Sequence, residues 1–182
     1  MKCTSCKNGN LVPAYLEDML PCHSCDNCGG NWVMLKDYLR WKEQHGEAVA
    51  EDAEISAELT DSKKAILCPV TGAVMLKYRI SKDHDHRLDL SPSIAGVWLD
   101  KGEWALLIKE GLAGSLNAIF TDSWQRQLRE SSAKSTFEAL YRQQFGDDYG
   151  RIRELRAWIA DHPKRADVLS YLMAEDPYSA LK

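Results

Sequence analysis

The chain has 182 residues, 45% apolar and 27% charged. That balance fits a globular protein and excludes a disordered one. With 23 basic and 27 acidic side chains the formal charge is −4, so wholesale nucleic-acid binding through phosphate contacts is disfavoured. No run of about 18 apolar residues is present, so no membrane-spanning helix is expected. The opening Met1-Lys2-Cys3-Thr4-Ser5-Cys6 contains no apolar signal core, so a cytoplasmic, reducing compartment is expected.

Residues 1–41 carry the strongest chemical signal. Five of the six cysteines, Cys3, Cys6, Cys22, Cys25 and Cys28, fall in the first 28 residues. In a reducing compartment, thiols two residues apart point to metal ligation. Cys3 with Cys6 forms one such pair and Cys25 with Cys28 another. A two-residue gap lets one tight turn offer two sulfurs to one ion, and four thiolates suit tetrahedral zinc. Cys22 with Cys25 also has this spacing. The pair Cys25 and Cys28 is preferred, because Gly29-Gly30 follows it and glycine allows the positive φ that such turns use. One zinc per chain, held by Cys3, Cys6, Cys25 and Cys28, is the expectation. A helix starting near Leu35 is expected to bury Tyr38, Leu39 and Trp41.

Residues 42–65 are rich in acids, with Glu43, Glu47, Glu51, Asp52, Glu54, Glu58 and Asp61, and read as an acidic linker. Residues 66–113 then repeat the first unit. Cys25-Asp26-Asn27-Cys28-Gly29-Gly30-Asn31-Trp32 aligns with Ser91-Pro92-Ser93-Ile94-Ala95-Gly96-Val97-Trp98, and Cys3 and Cys6 align with Cys68 and Thr71. Thr71, Ser91 and Ile94 thus replace three sulfurs, and a small apolar core is expected in place of the ion. Cys22 aligns with Leu88, which argues for a packed strand residue outside the ligand set. Strands are expected over Ala73–Ile80 and Arg87–Leu90. Asp100 as N-cap with Glu103 three residues on resembles a capping box, before a helix burying Trp104, Leu107 and Ile108.

These motifs resemble the zinc ribbons named after transcription factor IIB, in their small bacterial form. That pattern is a C-x-x-C knuckle, a hairpin, then C-x-x-C-G-G-x-W and an acidic helix cap. Cys3, Cys6, Cys25, Cys28, Gly29, Gly30 and Trp32 match it, and Gly96 to Glu103 match its end. The resemblance covers 1–41 and 66–110. Lys7 stands where the pattern has glycine, Met34 replaces the acidic cap, and the second copy lacks three ligands. The resemblance implies a structural zinc ribbon followed by a degenerate, metal-free one.

Residues 114–182 change to helical periodicity. Thr121 or Asp122 caps a helix whose apolar face carries Trp124, Leu128, Phe137, Leu140, Tyr141 and Phe145, and Gly146 stops it. A second helix carries Ile152, Leu155, Trp158 and Ile159, and a third follows Pro163. Arg151, Arg153 and Arg156 could meet phosphate, but a solvated helix face is the commoner use of such residues. The cluster Asp83, His84, Asp85 and His86 reads as a polar hairpin tip in preference to a metal site.

The expected fold is α+β: two zinc-ribbon-like hairpin and helix units, the second without metal, then a helical region. No catalytic or cofactor-binding constellation stands out, and four thiolates leave zinc no open position for catalysis. A non-enzymatic zinc protein that binds a protein partner, an adaptor, is the leading expectation. Nucleic-acid or transcription-machinery binding is the alternative.

Overall fold

The computed structural model describes residues 1–45 and 64–178. Most of the acidic linker, from 46 to 63, lies outside the described residues. The described chain divides into two compact units, one from Met1 to Ser131 and one from Ser132 onward.

In the first unit, strands β1 (Leu11–Leu16), β2 (Leu20–Cys25) and β3 (Asn31–Met34) lead into helix α1 (Leu35–His45). Strands β4 (Leu76–Arg79), β5 (Arg87–Ser91) and β6 (Gly96–Leu99) lead into helices α2 (Glu103–Lys109) and α3 (Leu116–Ile119). All six strands form one antiparallel sheet in the order β1-β2-β3-β6-β5-β4. The two halves join at the centre, where Trp32 pairs with Trp98 and Val33 with Val97.

Strand alternation sorts these residues onto two faces. Val33, Val97 and Leu99 join Leu20, Tyr38, Leu88, Leu107 and Leu116 in the larger core, which also takes up residues of α1, α2 and α3. Trp32 and Trp98 belong to a second cluster with Cys3, Leu11, Cys25, Ile66, Cys68 and Met75. A Cβ on Gly30 would overlap Trp98 Cζ2, and a Cβ on Gly96 would overlap Trp32 Cζ2. Each half therefore leaves a glycine where the indole of the other half lies.

Several expectations are revised. The boundary at 113/114 falls inside the first unit, because Ala113, Leu116 and Ile119 are buried in its core. Buried Tyr38 helps fasten this segment: its hydroxyl donates to the Ala113 carbonyl (2.8 Å) and accepts from the Leu116 N–H (3.1 Å). Leu39 is exposed, as it lies off the helix stripe that buries Tyr38 and Trp41. The strand expected over Ala73–Ile80 shortens to β4. Residues before it bond to the segment at Ile66–Cys68 instead, through Met75 N to Ile66 O (3.0 Å) and a Leu67–Val74 bridge.

Asp100 is not the N-cap residue of α2. Its Oδ1 accepts the Trp98 indole N–H at 2.7 Å, and Gly102 occupies the cap position. Glu103 keeps its half of the capping-box pattern, since its Oε2 accepts the Asp100 N–H at 2.7 Å. The physical reason is burial: a tryptophan N–H inside the sheet needs an acceptor, and Asp100 is close enough to provide one.

The unit from Ser132 onward holds the rest of α4 (Asp122–Phe145), then α5 (Tyr149–Ala160) and α6 (Arg165–Met173). Thr121 Oγ1 accepts the Trp124 N–H at 3.3 Å, and Gly146 ends α4 with φ +53°. The stripe Phe137, Leu140 and Tyr141 is exposed in place of forming a core. Among the described residues of this unit, Ile159 alone is a buried apolar side chain.

Candidate metal centre

Two turns bring the thiols together. In the first, Cys3 to Cys6, the Lys7 N–H returns to the Cys3 carbonyl (3.1 Å) with Lys7 at φ +63°. In the second, Cys25 to Cys28, the Gly29 N–H returns to the Cys25 carbonyl (3.1 Å) with Gly29 at φ +71°. The Cys28 N–H points to Cys25 Sγ at 3.5 Å, so a backbone donor can support a thiolate there. Lysine thus adopts the left-handed geometry that the sequence pattern assigns to glycine, at a cost of about 1–2 kcal/mol.

The structure gathers the sulfurs of Cys3, Cys6, Cys25 and Cys28 within 4.8 Å of one another. Cys3 Sγ lies 3.8 Å from Cys28 Sγ, and Cys6 Sγ 3.6 Å from Cys25 Sγ. A tetrahedron with zinc–sulfur bonds of about 2.3 Å has edges of about 3.8 Å. The spacing and the all-thiol donor set therefore fit zinc, and the four cysteines form a zinc-binding site. Among the described residues no other group of His, Cys, Asp and Glu is clustered for a metal.

Two features around the site were not legible as functional. Gly9 has no room for a side chain, because a Cβ there would overlap Cys25 Sγ. Asp26 ties the two turns together, its Oδ1 accepting the Asn10 N–H at 2.8 Å. The Gly9-Asn10 dipeptide marks a turn in the sequence, but its closeness to Cys25 is a tertiary fact.

Cys22 stands apart from the sulfur cluster. It is buried in the larger core, with Sγ 3.5 Å from Ser24 Oγ and 4.0 Å from Asn31 Oδ1. Cys22→Ser is expected to keep one zinc per chain, whereas Cys25→Ser and Cys28→Ser lose it. Elemental analysis of the purified variants checks this.

Without metal, burial pushes the Cys3 thiol up from its usual range and the Cys28 thiol well up. The Asn27 side chain, by hydrogen bonding, holds Cys6 down at about 6. At pH 7 Cys3 and Cys28 therefore carry protons that zinc must displace, while Cys6 is already mostly ionised. Zinc uptake at pH 7 is expected to release at least the two protons of Cys3 and Cys28. Below pH 6 Cys6 adds to proton competition, so affinity falls more steeply as pH drops. Indicator-monitored titration at several pH values checks both statements.

The other candidates have local explanations. His84 Nε2 meets Glu110 Oε1 at 2.7 Å, and His84 Nδ1 accepts the His86 N–H at 3.3 Å. Asp83 pairs with Lys82 and Asp85 with Arg79. The hairpin tip is thus an ion-pair cluster. In the second half, Cys68 packs with Ile66, Met75 and Ile94, and the Thr71 N–H points to Cys68 Sγ at 3.4 Å. Arg151, Arg153 and Arg156 are exposed on α5.

Among the described residues no helix is long and apolar enough to cross a membrane. No curated protein and no solved structure matches the chain. Residues 2–44 do match a family model, the transcription factor zinc-finger, so this segment, with its four clustered cysteines, is a zinc ribbon of the transcription factor IIB type.

Proposed function

We propose that the protein is a structural zinc protein, acting as a protein-interaction or adaptor module and not as an enzyme. The observation that carries this reading is the closed donor set: four thiolates fill a tetrahedral shell and leave no position for substrate or water. Zinc then supplies cross-linking of two turns that are too small to hold a core alone. In this reading the second half is a ribbon whose ion has been replaced by Ile66, Cys68, Met75 and Ile94. Its turns use the same left-handed geometry, at Gly72 (φ +71°) and Ala95 (φ +51°).

Partner binding is supported by apolar side chains that the second half leaves in solvent. Leu67, Val70, Val74 and Leu76 are all exposed along one short segment, and exposed apolar surface of this kind marks interaction sites. Val70→Glu with Val74→Glu is expected to lose a partner recovered by pull-down while zinc content stays unchanged. Recovery of the same partner by that variant would reject the assignment of this surface.

The nucleic-acid alternative has a direct test. Counted from four protonated thiols, four thiolates and one zinc ion move the formal charge from −4 to −6. No appreciable binding to random duplex DNA is expected at physiological salt, because such binding draws on neutralised phosphates. Tight, salt-sensitive binding abolished by Arg151→Ala with Arg153→Ala would favour the alternative.

A further inference from the structure

Asn31 follows the second cysteine turn without being a ligand, and it is only 8% exposed. A buried amide is costly unless its hydrogen bonds are made. Both ends of this one are used. Its Nδ2 donates to the Gly29 carbonyl at 3.2 Å, and its Oδ1 accepts the Ser24 hydroxyl at 2.6 Å. A carbonyl oxygen can only accept, so the amide nitrogen must face Gly29 and the amide oxygen must face Ser24. Cys22 Sγ completes the group, 4.0 Å from Oδ1.

The residue that this bond reaches ends the turn from Cys25 to Cys28. Gly29 lies at φ +71°, its N–H returns to the Cys25 carbonyl, and the Cys28 N–H before it points to Cys25 Sγ. Gly29 and Gly30 together carry a large conformational freedom that ordering the turn must remove. A side chain that fixes the Gly29 carbonyl restrains that stretch, and so reduces the ordering that metal binding must otherwise supply.

The chain contains its own comparison. Ser24 and Asn31 are cross-strand partners on β2 and β3, and Leu90 and Val97 are partners in the same way on β5 and β6. Where the four cysteines are present, the pair is polar and reaches the turn. In the second half, which keeps only Cys68, the pair is apolar and Ala95 stands at the position of Gly29. An apolar pair therefore serves the sheet at this place, and strand pairing does not require the amide.

We propose that Asn31 is a positioning residue of the zinc site: its amide holds the Gly29 carbonyl and so keeps the second turn in the shape that presents Cys25 and Cys28 to the ion. This role presupposes the four-cysteine zinc site and adds to it a residue outside the ligand set.

Competition between the zinc-loaded full chain and a chelator tests it. Asn31→Val copies the second half, whereas Asn31→Asp keeps the size of the side chain and an acceptor for Ser24. Both remove the donor to Gly29. Each is expected to weaken zinc binding about 10-fold, the low end for groups that orient metal ligands. Hydrogen exchange of the zinc-loaded chains separates this from a role in sheet stability alone. Exchange is expected to quicken at the Cys28 and Gly29 amides and to stay unchanged across β3 and β6. Asn31→Asp decides alone where Asn31→Val does not fold. A folded variant that binds zinc as tightly as the wild type would overturn the proposal, and so would exchange that quickens equally across β3 and β6. A wild-type chain that holds no zinc would reject the four-cysteine site itself, and this role with it.

Discussion

Removing zinc with a chelator is expected to unfold strands β1 to β3 and to loosen the whole first unit. Apparent binding energies of structural zinc in small finger peptides are about 10–16 kcal/mol at neutral pH, more than the entire stability of a typical domain, about 5–15 kcal/mol. The coupling to the second half is physical: β3 supplies the pairing partner of β6, and Trp32 and Trp98 lie in the same cluster as Cys3 and Cys25. Loss of the ion therefore exposes both indoles. Tryptophan emission should shift to the red and strand circular dichroism should fall, with recovery on adding back one equivalent of zinc. A chelated chain that keeps its emission and its sheet would show that the ribbon does not need its metal. Two tightly held ions per chain would contradict the four-cysteine assignment.

Gly30→Ala and Gly96→Ala are expected to destabilise the first unit without touching a zinc ligand. The new methyl group would overlap Trp98 in the first variant and Trp32 in the second. Overpacking a tight core costs about 1–3 kcal/mol. Gly30→Ala is expected at the upper end, because Trp98 is held by its 2.7 Å bond to Asp100 and cannot swing away without leaving that buried bond. At roughly 2–4 °C per kcal/mol for a chain of this size, a drop in Tm of about 6–12 °C is expected for Gly30→Ala. Thermal unfolding with zinc content measured in parallel checks it. An unchanged Tm would mean that the indoles do not lie over these glycines.

The zinc site was readable from the chain because ligation by C-x-x-C is local chemistry. Each turn brings two sulfurs together within four residues, and thiol spacing and the glycines after Cys28 encode that directly. Pairing the two knuckles needed only the assumption of one ion. Helix α1, the stop at Gly146 and the break around Pro163 were readable for the same reason, since caps and periodicity act over a few residues.

What depended on distant partners was not readable. Asp100 has the capping-box spacing of a helix cap, yet Gly102 takes that position and the Asp100 carboxylate binds the Trp98 indole, because only the assembled sheet buries that N–H. Ala113 and Leu116 belong to the first core, with Ile119 after them, and Tyr38, about 75 residues earlier, holds the backbone of the first two. The stripe Phe137, Leu140 and Tyr141 has the periodicity of a core helix, but periodicity states only that a face is apolar and not that anything covers it. The cysteines, glycines and helix caps are therefore properties of short sequence. The joining of two halves into one sheet across Trp32 and Trp98, and the exposure of the tail's apolar face, are decided by packing between segments far apart in the chain.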